Sequence, residues 1–431
     1  MEKNSEPSDD TSAEGSSRVG SRLVARGLIP ERGPKRTLAL ATFVNEIGNG
    51  LFMIGAALYF TRSVGLSVTQ VGLGMGIAAL AGLLSGVPVG HLADRRGPRE
   101  TYLITICVEA VAMAALVFVH TFWLFVIVVC VIQLASSASQ AARGPLVRGF
   151  AGPNPTKFRS YMRALSNLAG ASGGVAAGIA VQLDTRAAYL ALVLGNALTF
   201  VACAAVISRL PSLPPVKAPE RQGRWIALRD TPFVTVTALD GILSLQGYVL
   251  VFALPLWIVE ESSAPRWLVS VCVLVNTMLV VCFQVRASRG IDTNTAATRA
   301  VRRASLAFLL GMALIATTGE MSGKLAAVVI VTGVAVHTVG ELWHAAASFE
   351  LSFGLAPRHA QGQYSGLSGL GHGFASAAAP SVLGLLCITW GAPGWLVMGA
   401  VFVVVGLIMP YVVRWAERTR EPAPAEQTTA A

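Results

Sequence analysis

Charge is scarce in this chain. Asp, Glu, Lys and Arg make up 13% of 431 residues, while 54% are apolar and the mean hydropathy is +0.61. Soluble domains carry roughly 25% charge and about 45–50% apolar residues, so a fold bathed in water on every side is excluded. Cysteine is also sparse. The six present (Cys107, Cys130, Cys203, Cys272, Cys282, Cys387) all sit inside apolar runs, without the Cys-x-x-Cys spacing or neighbouring histidines that a zinc framework needs. No nucleophile with its base and no glycine-rich phosphate loop is present, which argues against an enzyme. The net charge of +10 is not gathered on one domain, so it does not mark a nucleic-acid partner; it recurs as short basic islands between apolar runs. The stretch from Met1 to Arg36 has no apolar run and is expected to be a disordered tail rather than a cleaved signal peptide. The end of the chain, 415–431, reads the same way.

Long apolar runs are what the chain has in abundance. About 20 helical residues cross the ~30 Å hydrocarbon layer, and such runs lie at 37–60, 68–90, 100–119, 122–143, 160–181 and 187–208. Six more lie at 231–258, 266–286, 299–318, 323–350, 361–389 and 393–414. In lipid every backbone amide must be satisfied within its own segment, so runs of this length are helices. Between the two sets, 209–230 carries Pro211, Pro214, Pro215 and Pro219 among charges and reads as a linker. The expected organisation is therefore an all-α membrane protein of twelve transmembrane helices, with six-helix bundles at 37–208 and 231–414 joined by a cytosolic linker. With both termini inside, Arg62, Arg186, Arg266 and Lys324 are the basic residues that fall in outside loops, out of 33 in all. That sorting follows the rule that Lys and Arg stay cytosolic, and it places the chain in a cell membrane.

The two halves echo each other. Glu46 in the first helix matches Asp240 in the seventh. Phe150-Ala151-Gly152-Pro153 followed by Tyr161 matches Gly354-Leu355-Ala356-Pro357 followed by Tyr364. Asp94 and Asp292 lie in corresponding basic turns. Matches at corresponding positions indicate internal duplication.

Between the second and third helices stands Gly90-His91-Leu92-Ala93-Asp94-Arg95-Arg96-Gly97-Pro98-Arg99. This resembles the signature loop of the major facilitator superfamily, and with twelve helices and a central linker the resemblance covers 37–414. Asn45-Glu46-Ile47-Gly48-Asn49-Gly50 makes the chain most similar, within that superfamily, to bacterial proton-driven multidrug and efflux carriers. The fifth helix keeps the glycines of those exporters (Gly170, Gly173, Gly174, Gly178) without their proline, and the fourth has Arg143 only at its cytosolic end. The resemblance implies alternating access driven by a proton gradient, with Gly90, Asp94, Arg95 and Gly97 latching the halves in the outward-facing state. From the residues alone, Gly90 and Gly97 suit a tight turn and close helix approach, and Asp94 suits a cap on free amides at a helix start. A plain turn and topology anchor is the alternative.

Carboxylates near the bilayer centre cost roughly 2.5–3.5 kcal/mol each on insertion scales and so mark function. Glu46, Glu109, Asp240 and Glu341 qualify. Asn45, Glu46 and Asn49 share one face of the first helix, and Asp240 and Ser244 the matching face of the seventh, which predicts Glu46 and Asp240 across one central cavity. His337, Glu341, His344 and Ser348 form one stripe on the tenth helix; it lines water or substrate, or else forms a hydrogen-bonded seam between helices. On the eleventh, Ser365, Ser368, His372 and Ser376 form a polar stripe beside a packing stripe of Gly362, Gly366, Gly369 and Gly373. The expected cavity and proton-coupling set is Glu46, Asn49, Glu109, Asp240, His337, Glu341, His344 and His372, with no metal and no cofactor. The expected partners are a small molecule, protons and lipid, and the carrier is expected to be a monomer. Export of a drug-like or amphipathic molecule is the leading function. Uptake of a metabolite or sugar on the same fold, or a membrane receptor without transport, are the alternatives.

Overall fold

A computed structural model describes residue 30 and residues 33–216 and 225–419, and among these there is no strand. Nearly all of 1–36, the middle of the linker and the end of the chain from 420 lie outside the described residues. The first six long helices are α1 Pro34–Leu58, α2 Val68–Leu83 with Gly86–Arg96, α3 Pro98–Ala115, α4 Phe122–Ala151, α5 Pro155–Leu183 and α6 Arg186–Ile207. The second six are α7 Thr231–Glu260, α8 Leu268–Ala287, α9 Asn294–Ala316, α10 Gly323–Gly354, α11 Gln361–Leu383 and α12 Ala392–Arg418. Ten of these, α3 to α12, are long and apolar enough to cross a membrane, and α2, bent by 42° between its two pieces, makes an eleventh. The remaining one, α1, is 25 residues long and carries Asn45, Glu46 and Asn49 in its middle.

Local chemistry sets where these helices begin. Pro34, Pro98 and Pro155 occupy first-turn positions, where a missing amide costs nothing. Ser67 and Gln70 close a capping box on α2, and the side chains of Thr121, Asn154, Thr185 and Thr293 each accept from an amide of the turn that follows. Several ends differ from those expected of the apolar runs. α1 starts at Pro34 rather than 37, α4 runs on to Ala151, α5 starts at Pro155 rather than 160, and α12 reaches Arg418 rather than 414. Apolarity marks where a helix is surrounded by lipid, whereas capping marks where the backbone turns, and here the two differ by up to eight residues. α7 passes through a π-turn at Val249–Ala253, just before Pro255, which has no amide to donate into a regular turn.

Buried apolar side chains form two clusters. One draws on residues 38–210 and the other on residues 227–416, with one residue exchanged each way: Val87 of α2 packs in the second cluster and Phe353 of α10 in the first. Both exchanges occur at the end of the bundle that carries the basic loops. Close packing there is made by glycine. A methyl group on Gly90 would overlap the carbonyl oxygen of Gly362, and one on Gly366 that of Gly86, so α2 and α11 touch backbone to backbone. Within the first half, Gly50 and Gly173 bring α1 and α5 together in the same way, against Gly170 and Ile47.

Candidate functional site

The signature loop is the first component. α2 continues through Arg96, so Asp94 is not the cap of α3 that its position suggested. Gly97, at φ +106°, makes the turn into α3 instead, a backbone conformation that favours glycine. The Asp94 carboxylate reaches across to the other half and accepts from the amides of Gly362 at 2.7 Å and Gln363 at 3.0 Å, the free donors at the start of α11. His91 meets the Gln363 side chain at 2.9 Å. Arg95 and Arg96 are exposed at the basic end. Asp94→Ala should cost about 1–2 kcal/mol of this contact, the range for losing a strong helix cap. The expected readout is a roughly 5- to 30-fold rise in alkylation rate of a cysteine placed at the α2–α11 contact.

Deeper along the same interface lies an ion pair between halves. Arg163 of α5 donates to Glu341 of α10 at 2.5 Å, and the other oxygen of Glu341 accepts from Asn276 of α8 at 2.8 Å. The pair is partly screened, the arginine side chain being 30% and the glutamate 12% exposed. In the first turn of α5, Thr156 donates to Glu350, and Arg148 of α4 donates to the carbonyl of Phe353. Glu46 sits in the first half beside Asn49, which donates to it at 3.2 Å, and 3.6 Å from the Arg143 guanidinium. Arg143 also donates to Thr42 at 3.1 Å.

Asp240 departs from expectation. The repeat placed it across a cavity from Glu46, yet both its oxygens are taken by α10 of its own half: His344 at 3.0 Å and the Ser348 hydroxyl at 2.8 Å. His337 is fully buried, its Nε2 bonded to the carbonyl of Gln246 at 3.2 Å. The α10 stripe is therefore a hydrogen-bonded seam toward α7 for His337, His344 and Ser348, and only Glu341 faces the other half. The reason is geometric. A 40°-wide stripe on a helix packed on several sides meets more than one neighbour. Glu109 is buried beside Ser139, whose hydroxyl also bonds Thr105 at 2.9 Å, and lies within electrostatic reach of Glu46, with one carboxylate oxygen unpartnered among the described residues. Asp240→Asn exchanges a charged acceptor for an amide beside His344, a loss of about 1–3 kcal/mol. Thermal unfolding of the purified protein should shift down by several degrees.

Besides a cavity of about 500 Å³ at the basic end, between Asp94, Arg148 and Arg358, two cavities follow the seam between halves. One, of about 230 Å³, is bounded by α2, α4, α7 and α11; Gln133, Ser137, Gln140, Ser365, His372 and Ser376 give it its polar wall. His372 and two serines of the predicted stripe are on it. The other, of about 320 Å³, is bounded by α4, α5 and α10, with Arg143, Arg159 and Arg163 on its wall and Gln140 shared with the first. Arg159 and Arg163 were not expected in a site. Starting α5 at 160 counts Arg159 as a loop charge; with α5 starting at Pro155, Arg159, Arg163, Ser166 and Asn167 form one polar helical face, and that i, i+4, i+7 spacing is the signal that could have revealed them.

Two six-helix halves with apolar exteriors, meeting across a polar seam with paired charges between them, define a membrane carrier. The model of the Major Facilitator Superfamily matches residues 38–380, and the chain belongs to that family: it is a multi-pass membrane transporter, not an enzyme. It is similar to the multidrug resistance protein MdtH of Klebsiella pneumoniae subsp. pneumoniae, at 25% identity over 82% of this chain and 87% of the relative. It is also similar to MdtH of Cronobacter sakazakii, at 26% identity over 74% of this chain and 78% of the relative. Among solved structures, a bacterial homologue of the iron transporter ferroportin in an outward-facing state superposes with a TM-score of 0.70. It shares 16% identity and covers 89% of this chain and 99% of that one, a likeness of fold.

Proposed function

We propose that this protein is a secondary active exporter, working by alternating access and coupled to protons, that moves a small drug-like or amphipathic molecule out of the cell. Its basic end faces the cytosol, as the Lys and Arg sorting indicates, both termini are cytosolic, and it acts as a monomer in the cell membrane. The observation that carries the reading is the Arg163–Glu341 pair joining α5 to α10. Asp94 on the start of α11 and the Gly90–Gly362 contact close the same end, so the described state has its inner end shut. A proton on Glu341 removes the charge that holds Arg163. Proton entry from outside is thereby coupled to inward opening, where substrate loads. Glu46 beside Arg143 and Asp240 beside His344 are further groups whose partners change on protonation. The similarity to multidrug resistance proteins supports export over uptake.

The test is flux in proteoliposomes under an imposed pH gradient, using amphipathic drugs and, for contrast, sugars. Gradient-driven movement of a drug against its own gradient, opposite to proton flow, supports the proposal. Inward movement with protons, or movement confined to sugars, replaces export with uptake on the same fold.

A further inference from the structure

The basic wall of the cavity bounded by α4, α5 and α10 is more than the gate requires. Arg143, Arg159 and Arg163 converge on about 320 Å³ of space, and the carboxylates that approach them are Glu46, at a loose 3.6 Å from Arg143, and Glu341, at 2.5 Å from Arg163. Three fixed cations against two anions leave one positive charge in excess. The excess has an address. Among the described residues Arg159 pairs with no carboxylate, and its guanidinium lies 4.9 Å over the Phe349 ring and 5.4 Å over the Phe353 ring of α10. It points between the halves, not outward to lipid headgroups, so holding the helix in the membrane does not explain it. A second donor is spare: Nε of Arg163 is buried and has no hydrogen-bond partner. Gln140, Ser166 and Asn167 add neutral polar groups to the same wall, and Val147, Met162 and Phe349 supply apolar surface beside it.

An intramembrane cation without its own counter-ion is costly, and planar guanidinium donors match the two oxygens of a carboxylate or a phosphoryl group. We infer that this cavity receives the oxyanion group of an amphipathic molecule, held by Arg159 and the free edge of Arg163, with the apolar part against Met162 and Phe349. The inference rests on the carrier reading for what brings the anion there. It narrows the cargo to amphipathic anions and sets lipophilic cations aside. The volume holds a carboxylate or phosphate with one or two rings' worth of atoms, at about 30 Å³ per water-sized group.

The experiment is equilibrium binding to the full chain in phosphatidylcholine nanodiscs, using 2-naphthoate, 2-naphthamide and 2-naphthyltrimethylammonium as matched anion, neutral and cation. Naphthoate should bind at least tenfold tighter than the other two. Arg159→Gln should erase that preference while leaving naphthamide binding in place, and Arg159→Lys should keep part of it. A wild-type protein that prefers the ammonium or the amide, or an Arg159→Gln variant that still prefers naphthoate, overturns the inference. Adding phosphatidylglycerol separates the sources: if it displaces naphthoate in an Arg159-dependent way, the oxyanion is a lipid headgroup's and the assignment to cargo falls. Naphthoate flux under a pH gradient is read separately. Anion-selective binding without flux keeps the site and overturns the export reading; gradient-driven flux of the ammonium with no anion preference does the reverse.

Discussion

Glu341→Gln should lower pH-gradient-driven transport at least tenfold while leaving exchange of labelled for unlabelled substrate across the membrane intact. Glutamine keeps the shape and can still accept from Asn276, but it offers Arg163 neither a negative charge nor a site for a proton. Hydrogen bonds to charged groups contribute about 1.5–3 kcal/mol. Partial exposure of the pair, with the arginine side chain at 30%, places the loss at the lower part of that range. That amounts to a roughly tenfold shift away from the closed inner end, since each 1.4 kcal/mol is tenfold. Exchange does not need the proton step and should persist. Full gradient-driven flux in this variant would remove Glu341 from proton coupling and leave its pair with Arg163 a structural contact.

The second large effect should come from the smallest substitution. Gly90→Ala and Gly362→Ala each place a methyl group on the other helix's carbonyl oxygen, and neither backbone can withdraw without carrying the Asp94 contact with it. Overpacking of this kind costs about 1–3 kcal/mol, all of it borne by the closed state. Both variants should fold and insert, yet transport should fall by roughly 5- to 150-fold and cysteine labels at the basic end should become accessible. By contrast Gly369, three residues along the same glycine stripe from Gly366, meets nothing within 4 Å of its added methyl. Gly369→Ala should transport at the wild-type rate, and radiolabelled flux of the three variants side by side checks the contrast.

Much of the architecture is legible in the sequence because lipid makes it so. The apolar runs mark the helices, and the glycine stripe of α11 marks the face that meets α2. The signature loop identifies where the halves touch, although the reach of Asp94 to α11 is visible only once α2 is seen to continue to Arg96. The site is less legible, for two physical reasons. Helix ends are set by caps and prolines, not by hydropathy, and an error of five residues at the start of α5 removes Arg159 from the helical face it shares with Arg163. Intramembrane charge also signals that a partner exists without saying which one. Asp240 and Glu341 look alike in sequence, yet the first is bound by His344 and Ser348 of its own half and the second by Arg163 of the other. Pairing between α5 and α10 joins residues far apart in the chain, and no local pattern encodes it.

On the proposed mechanism a proton on Glu341 unlocks the inner end. This step is tested most directly by the distance between spin labels at Lys157 of α5 and at Arg358 before α11, exposed positions on opposite halves, in protein whose six native cysteines are replaced. The expected result is a short distance at high pH that lengthens as pH falls, and a long distance at every pH in Glu341→Gln. A distance that ignores pH in the wild-type protein, with Glu341→Gln remaining short, would contradict it.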